Sequence, residues 1–284
     1  MKTSTKIWLI IATVLVLLGL AIFAGAIIYS GGNFSGLATI KYETNAHTIN
    51  DNFNSISIDV STADVNFLIA ENGECKVECF EQENITHTAI VEDGVLKISE
   101  TDNRTWTDYI GINFNTSKVT VYLPSGEYQN VTINASTSDV NIRQGFTFNS
   151  VQIAVTTGDV NVKDVTINEE LFISVTTGDV EIASVTAKKI TTKGGTGEIE
   201  LNSTIALEHI TIERSTGDIE FSNIDAYELF IKTSTGDIEG SLLSEKNFKA
   251  KTSTGKVRVP STTNGGNCVL QTSTGDIHVS IKNA

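Results

Sequence analysis

Proline, methionine and cysteine are nearly absent: the 284 residues include two, one and three of them, and only 7% are aromatic. Three is an odd number of cysteines. Cys75 and Cys79, in Cys-Lys-Val-Glu-Cys, fall on one face of a strand with Val77. In an extended strand they stand about 13 Å apart, too far for a direct bridge. No histidine lies at ligand spacing from them, so a metal reading lacks partners and they read as small buried hydrophobes. His47, His87, His209 and His278 are scattered, and no nucleophile motif occurs, which leaves catalysis with little support. Basic charge is also scarce, with 20 Lys and Arg against 34 Asp and Glu. Nucleic acid binding needs the opposite sign.

What the sequence does have is glycine, 22 of them, with abundant Thr, Val, Ile, Asn and Ser, a mix that favours strands and tight turns. One apolar run, residues 7–29, extends for 23 residues without a charge. As a helix it spans about 35 Å, enough for a hydrocarbon core of about 30 Å. Lys2 and Lys6 precede it and no acidic residue does, which keeps the N-terminus cytoplasmic and exports the rest. Ala24-Gly25-Ala26 resembles a signal-peptidase site, but the apolar run continues past it, so an uncleaved anchor is the preferred reading. Without the two lysines the count is 18 basic against 34 acidic residues, a net of −16 for the exported part.

The dominant signal is an internal repeat. Thr-Gly-Asp-Val or a near variant recurs with its second position at Ser138, Gly158, Gly178, Gly197, Gly217, Gly236, Gly255 and Gly275, every 19 or 20 residues, with an outlying copy at Ala63. Apolar residues alternate on both sides: Val151, Ile153 and Val155 before Gly158, Val160 and Val162 after it. Period two on each side of a turn means two strands, each with one buried face. Gly supplies positive φ at the corner, and the following Asp can accept hydrogen bonds from turn amides. A single repeat buries too few aliphatics to offset its backbone ordering, so repeats must stack, equivalent strand on equivalent strand. The expected fold is all-β: a single-stranded β-solenoid (β-helix or β-roll) of 19–20-residue rungs with an N-terminal antiparallel elaboration, preceded by one transmembrane helix.

The chain then divides into a cytoplasmic tail (1–6), a transmembrane helix (7–29), a stalk (30–50), a first rung plus an antiparallel β capping region (51–123), and solenoid repeats (124–284). Asn72-Gly73 and Asp93-Gly94 are hairpin signals within the capping region. Asp102 to Asn115, with Trp106 and Tyr109, reads as a loop under which at least one of the two aromatics packs. The C-terminal end shows no cap, so end-to-end self-association is expected there. Three residues before the corner, the inner column thins to Gly194, Arg214, Thr233, Thr252 and Thr272. These residues imply that the strand end leaves the core or that a threonine ladder forms.

In-register stacking would align Asp179 and Glu181, Glu198 and Glu200, Asp218 and Glu220, and Asp237 and Glu239 into a stripe two carboxylates wide. The bland reading is a solvated face whose Asp members serve the corners; the alternative is a surface for a divalent cation, Ca²⁺, or a basic partner. Lys193, Lys232 and Lys251 are placed to offset the stripe. Gly158, Gly178, Gly197, Gly217, Gly236, Gly255 and Gly275 are structural turn residues. No catalytic residue and no cofactor-binding residue is expected.

The layout resembles the bacterial putative-adhesin family, a domain of unknown function made of β-strand repeats. The resemblance rests on Ile56 to Phe67, Asp93-Gly94-Val95-Leu96-Lys97-Ile98, Val119-Thr-Val-Tyr-Leu-Pro124 and the repeated Thr-Gly-Asp turns. It implies an envelope location, in the cell membrane as a single-pass protein with its C-terminal domain extracytoplasmic. The expected function is a non-catalytic adhesin-like interaction module, with a protein or glycan partner, no nucleic acid, and the membrane held through the N-terminal helix. The alternative is an envelope-stress or signalling accessory, and a polysaccharide-active β-helix enzyme stands third.

Overall fold

The computed structural model describes residues 3–29, 31, 38–262 and 264–282. Lys2 and the first part of the expected stalk, 32–37, lie outside them. The helix runs Thr3–Tyr29, with no residue buried, and is long and apolar enough to cross a membrane. It begins four residues before the expected Ile7, because nothing between Thr3 and Lys6 breaks it. The expected stalk also ends early: Tyr42–Thr48 is a strand, antiparallel to Lys76–Gln82.

The body is a β-solenoid. Each turn has a short strand after the corner glycine and a long strand leading to the next corner, as in Val160–Lys163 followed by Thr166–Thr177. Short strands stack on short and long on long, parallel and in register. Val160 faces Val180, which faces Ile199 and then Ile219. Ile153 faces Ile173, Thr192 and Ile212 in turn. These columns are fully buried and fill one continuous core.

The corner glycines from Gly158 to Gly275 have φ between 132° and 149°. The earlier corner residues Ala63 and Ser138 are not among the positive-φ residues, so the first two corners turn differently. A second corner, silent in the sequence reading, marks five successive rungs: Gln144, Asp164, Ser184, Ser203 and Asn223 all sit at φ between 48° and 67°. Short polar side chains tolerate this left-handed region best.

The order of rungs departs from the order of the chain at both ends. Strand Ser55–Val60 lies between Val95–Asp102 and Glu127–Thr137, and Asp64–Ile69 between Lys118–Leu123 and Val140–Arg143. At the other end Ile277–Ile281 lies between Ile238–Leu242 and Val257–Arg258. The Gly275 rung is thus inserted beneath the Gly255 rung, instead of lying outermost as expected. A terminal strand paired on both edges resists fraying better than one paired on a single edge. The strands left at this edge carry Lys249, Lys251 and Arg258, charges that discourage strand addition.

At the N-terminal end, Asp93-Gly94 makes the expected hairpin between Ile85–Glu92 and Val95–Asp102. Asn72-Gly73 makes a turn but no hairpin, because Lys118–Leu123 separates the two strands it joins. Tyr42–Thr48 and Ile85–Glu92 are the outermost strands of this end.

Three of the five residues of the thinning inner column, Arg214, Thr233 and Thr272, stay buried, contrary to expectation, while Gly194 and Thr252 are half-buried. Arg214 is 4% exposed, and its guanidinium donates to the carbonyls of Val175 (2.8 Å), Gly178 (2.5 Å) and Gly197 (3.2 Å). Gly194 is required beneath it, since a Cβ there would lie 1.9 Å from the guanidinium. Thr233, Thr272 and Thr252 likewise donate to the carbonyls of Gly217, Gly236 and Gly275. The polar residues therefore satisfy corner carbonyls and form no threonine ladder. Thr192 differs: it is buried in the aliphatic column with its hydroxyl unpartnered. Thr192→Val, close in shape, is expected to stabilise the protein by about 1–2 kcal/mol in chemical denaturation.

Candidate functional site

The acidic stripe exists as a ribbon. Glu181, Glu200, Glu220 and Glu239 are successive register partners in the short-strand sheet. Beside them the Asp column is knitted by its own side chains. Each Oδ1 accepts the backbone N–H of the equivalent residue one rung on: Asp159 on Asp139 (2.9 Å), Asp179 on Asp159 (2.8 Å), Glu198 on Asp179 (2.7 Å), and Asp237 on Asp218 (2.8 Å). The acceptor role expected of Asp is real, but it bridges rungs instead of closing its own turn. The swapped rung extends the columns as Asp237, Asp276, Lys256 and as Glu239, His278, Arg258, so the cations end the ribbon.

Charge accumulates here. Burial, then Glu220, Asp179, Asp218 and Glu200, push the Glu198 carboxyl above its ordinary value. Lys163 pairs with Glu181. Lys193 turns to Glu213 on the long-strand sheet, away from the ribbon. Ladder carboxylates project side by side, whereas Ca²⁺ takes six to eight converging oxygens. Glu220→Gln is expected to raise stability by a few tenths to about 1 kcal/mol at low ionic strength and to lose this effect in molar salt.

A cleft of about 450 Å³ lies where the 104–117 segment meets the first corners. Its lining includes Tyr42, Gln82, Asn113, Asn115, Ser117 and Ser138, with Asp64 and Asp139 at the corner side. Burial pushes the Asp64 carboxyl up. Trp106 and Tyr109 do not pack beneath the loop as expected; they are 76% and 63% exposed.

A third cluster was not visible in the sequence. His87, fully buried in Ile85–Glu92, places Nδ1 2.6 Å from Glu81 Oε2 and Nε2 3.5 Å from Glu100 Oε2. Glu81 Oε2 also accepts the His87 backbone N–H (2.7 Å), and its Oε1 accepts from Asn45 (2.7 Å). Glu100 accepts from the Ser61 amide at the first corner (2.9 Å). Burial opposes the charge on His87, but Glu100 and Glu81 outweigh it and raise its pKa. Burial likewise works against Glu100, and His87 with the Ser61 and Thr62 amides brings it down to about 2. The donor atoms of Cys79, Glu81 and His87 lie within 4.8 Å of one another, a spacing that could hold a metal. Glu81 Oε2 is already occupied by two His87 donors, however, and burial pushes the Cys79 thiol up to about 12. The arrangement sets the His87 ring between two carboxylates, which favours its protonated form, with Nδ1 hydrogen-bonded to Glu81 and Nε2 facing Glu100 without a hydrogen bond. Cys75, Cys79 and Cys268 are free and buried, as the sequence reading has them.

No curated protein matches the chain. Among solved structures, a putative adhesin from Bacteroides fragilis is similar at 15% identity and a TM-score of 0.47, over 85% of this chain and 97% of that one. A second putative adhesin, from Parabacteroides distasonis, is similar at 15% identity and a TM-score of 0.46, over the same shares. A putative lipid binding protein from Parabacteroides distasonis is similar at 14% identity and a TM-score of 0.47, over 87% and 98%. The Toastrack DUF4097 family model matches residues 53–204 and 168–284, which together take in nearly all of the solenoid. The repeated corners, the stacked two-strand rungs and this match agree: the chain belongs to the Toastrack DUF4097 family.

Proposed function

We propose that the chain is a non-catalytic interaction module displayed outside the cytoplasm on a single N-terminal anchor, with the N-terminus inside. The cleft beside the first corners carries this reading. Its amides and hydroxyls are the groups that recognise a glycan or a peptide loop through many individually weak hydrogen bonds, and its volume lies in the range of ligand sites. The carboxylates beside it are committed to the backbone: Asp64 accepts the Asp139 amide, and Asp139 accepts the Asp159 amide. That commitment argues against their use as an acid–base pair and against the polysaccharide-active alternative. The full chain in detergent micelles, screened against glycans and matrix proteins, is expected to bind a ligand that Asn115→Trp blocks by filling the cleft. Binding that survives this substitution would move the function elsewhere on the surface, and no binding to either class would sink the adhesion reading.

A signalling accessory is the second reading. It is favoured by the contact of Thr39, ten residues past the helix, with Ile112 of the cap, which limits that end to at most about 35 Å from the helix end. In-cell cross-linking would then recover a membrane-protein partner.

A further inference from the structure

Five large apolar side chains stand exposed within nine residues of the loop after Val95–Asp102. Trp106 is 76% exposed, Tyr109 63%, Ile110 74%, Ile112 49% and Phe114 53%. Elsewhere on the solenoid such exposure is scattered, as at Ile90 or Tyr227. The loop is held in shape: the Thr105 amide donates to Asp108 (2.7 Å), Arg104 pairs with Asp102 (2.7 Å), and the Arg104 guanidinium lies 4.5 Å from the Tyr109 ring centroid. A shaped loop with an exposed aromatic and aliphatic tip has a partner to explain.

The chain itself says where that partner is. Ile112 and Thr39 exchange two hydrogen bonds, Ile112 N to Thr39 Oγ1 (2.9 Å) and Thr39 N to Ile112 O (3.0 Å). Asn113 donates to the Tyr42 hydroxyl (2.8 Å). Thr39 is ten residues past Tyr29, the last residue of the helix, and ten residues reach at most about 35 Å. The residue to which the loop is bonded therefore lies within about 35 Å of the end of the anchor. Trp and Tyr are the side chains that settle at the membrane–water interface, rings in the acyl boundary and polar atoms in the head groups.

We propose that the Trp106–Phe114 loop inserts into the interface of the membrane that the chain's own helix crosses, seating the capped end of the solenoid on lipid. The proposal rests on the reading of Thr3–Tyr29 as a spanning anchor. The chain has two tryptophans, Trp8 in the helix and Trp106 in the loop, so Trp8→Phe leaves Trp106 as sole reporter. The test is the full Trp8→Phe chain in phosphatidylcholine nanodiscs, with and without acyl chains brominated near the head group. Insertion predicts a blue-shifted Trp106 emission that brominated lipid quenches and aqueous acrylamide largely fails to reach. Adding Ile110→Ser, Ile112→Ser and Phe114→Ser should reverse all three while the melting curve stays unchanged, since these side chains are about half or more exposed. Water-like emission, fully quenched by acrylamide in discs that co-elute with the protein, would overturn the proposal with the anchor intact. Emission that shifts only in native membranes would assign the loop to a membrane protein instead. Failure to co-elute with the discs would remove the anchor, and the proposal with it.

Discussion

Gly178→Val is expected to lower the unfolding free energy of the full chain by about 4–6 kcal/mol, because two costs fall on one residue. Gly178 sits at φ 138°, a conformation that β-branched residues avoid. Its missing Cβ would also lie 2.0 Å from the carbonyl oxygen of Gly158 in the rung below. That neighbour is backbone within a packed ladder and has little room to move. Relief requires lifting the Gly178 rung off the Gly158 rung, which breaks the bond from the Asp179 amide to Asp159 between them. Gly126→Ala is the control, since nothing lies within 4 Å of its Cβ position, and it should be close to neutral. Denaturant titration in micelles checks both. Equal midpoints for Gly178→Val and the wild type would contradict the corner geometry.

His87→Leu is expected to cost about 3–5 kcal/mol, as removal of one member of a buried ionic cluster does. The substitution leaves Glu81 and Glu100 buried, at 1% and 5% side-chain exposure, without their shared cation. A pH dependence follows in the wild type. The raised pKa of His87 means its contribution is fully present below its unfolded value of about 6.5 and is lost as pH rises through the folded value. Glu100 behaves oppositely. With a folded pKa of about 2 against an ordinary 4.5, its contribution is present above 4.5 and lost as pH falls toward 2. Stability from this cluster is therefore greatest between the ordinary values of the two groups. In His87→Leu the deficit should shrink toward about pH 4, where the unpaired carboxylates begin to take up protons. A deficit below about 1 kcal/mol at pH 6 would mean that the ring is neutral and the cluster carries no ion pair.

The repeat made the solenoid legible because each rung solves the same local problem with the same residues: glycine for the bend, alternating aliphatics for the interior, aspartate to stitch to the next rung. The acidic ribbon followed from that register alone. What stayed hidden depended on contacts between distant segments. The insertion of the Gly275 rung beneath Gly255 leaves no periodic mark, since either order keeps every side chain on its own face. Only the basic pair Lys256 and Arg258, interrupting an acidic column, hinted that this rung belongs at an end. The His87 cluster draws on Glu81, Glu100 and Asn45 from three other strands, and no spacing along the chain announces such a meeting. Arg214 was misread because a buried guanidinium is rare; the glycine at 194, twenty residues before it, was the available signal. Asp164, Ser184, Ser203 and Asn223 formed an equally regular column, but small polar residues in strand-rich sequence look like ordinary surface.

Nitroxide labels at Asn66→Cys and Glu239→Cys give the most direct test of in-register stacking. Six successive register steps separate these residues, through Asn141, Asn161, Glu181, Glu200 and Glu220, and the three native cysteines are buried. At about 4.8 Å per step the backbone separation is about 29 Å, and a pulsed dipolar measurement should return one narrow distribution near it. A distribution centred below about 20 Å, or one spread over several distances, would contradict rungs stacked along one axis.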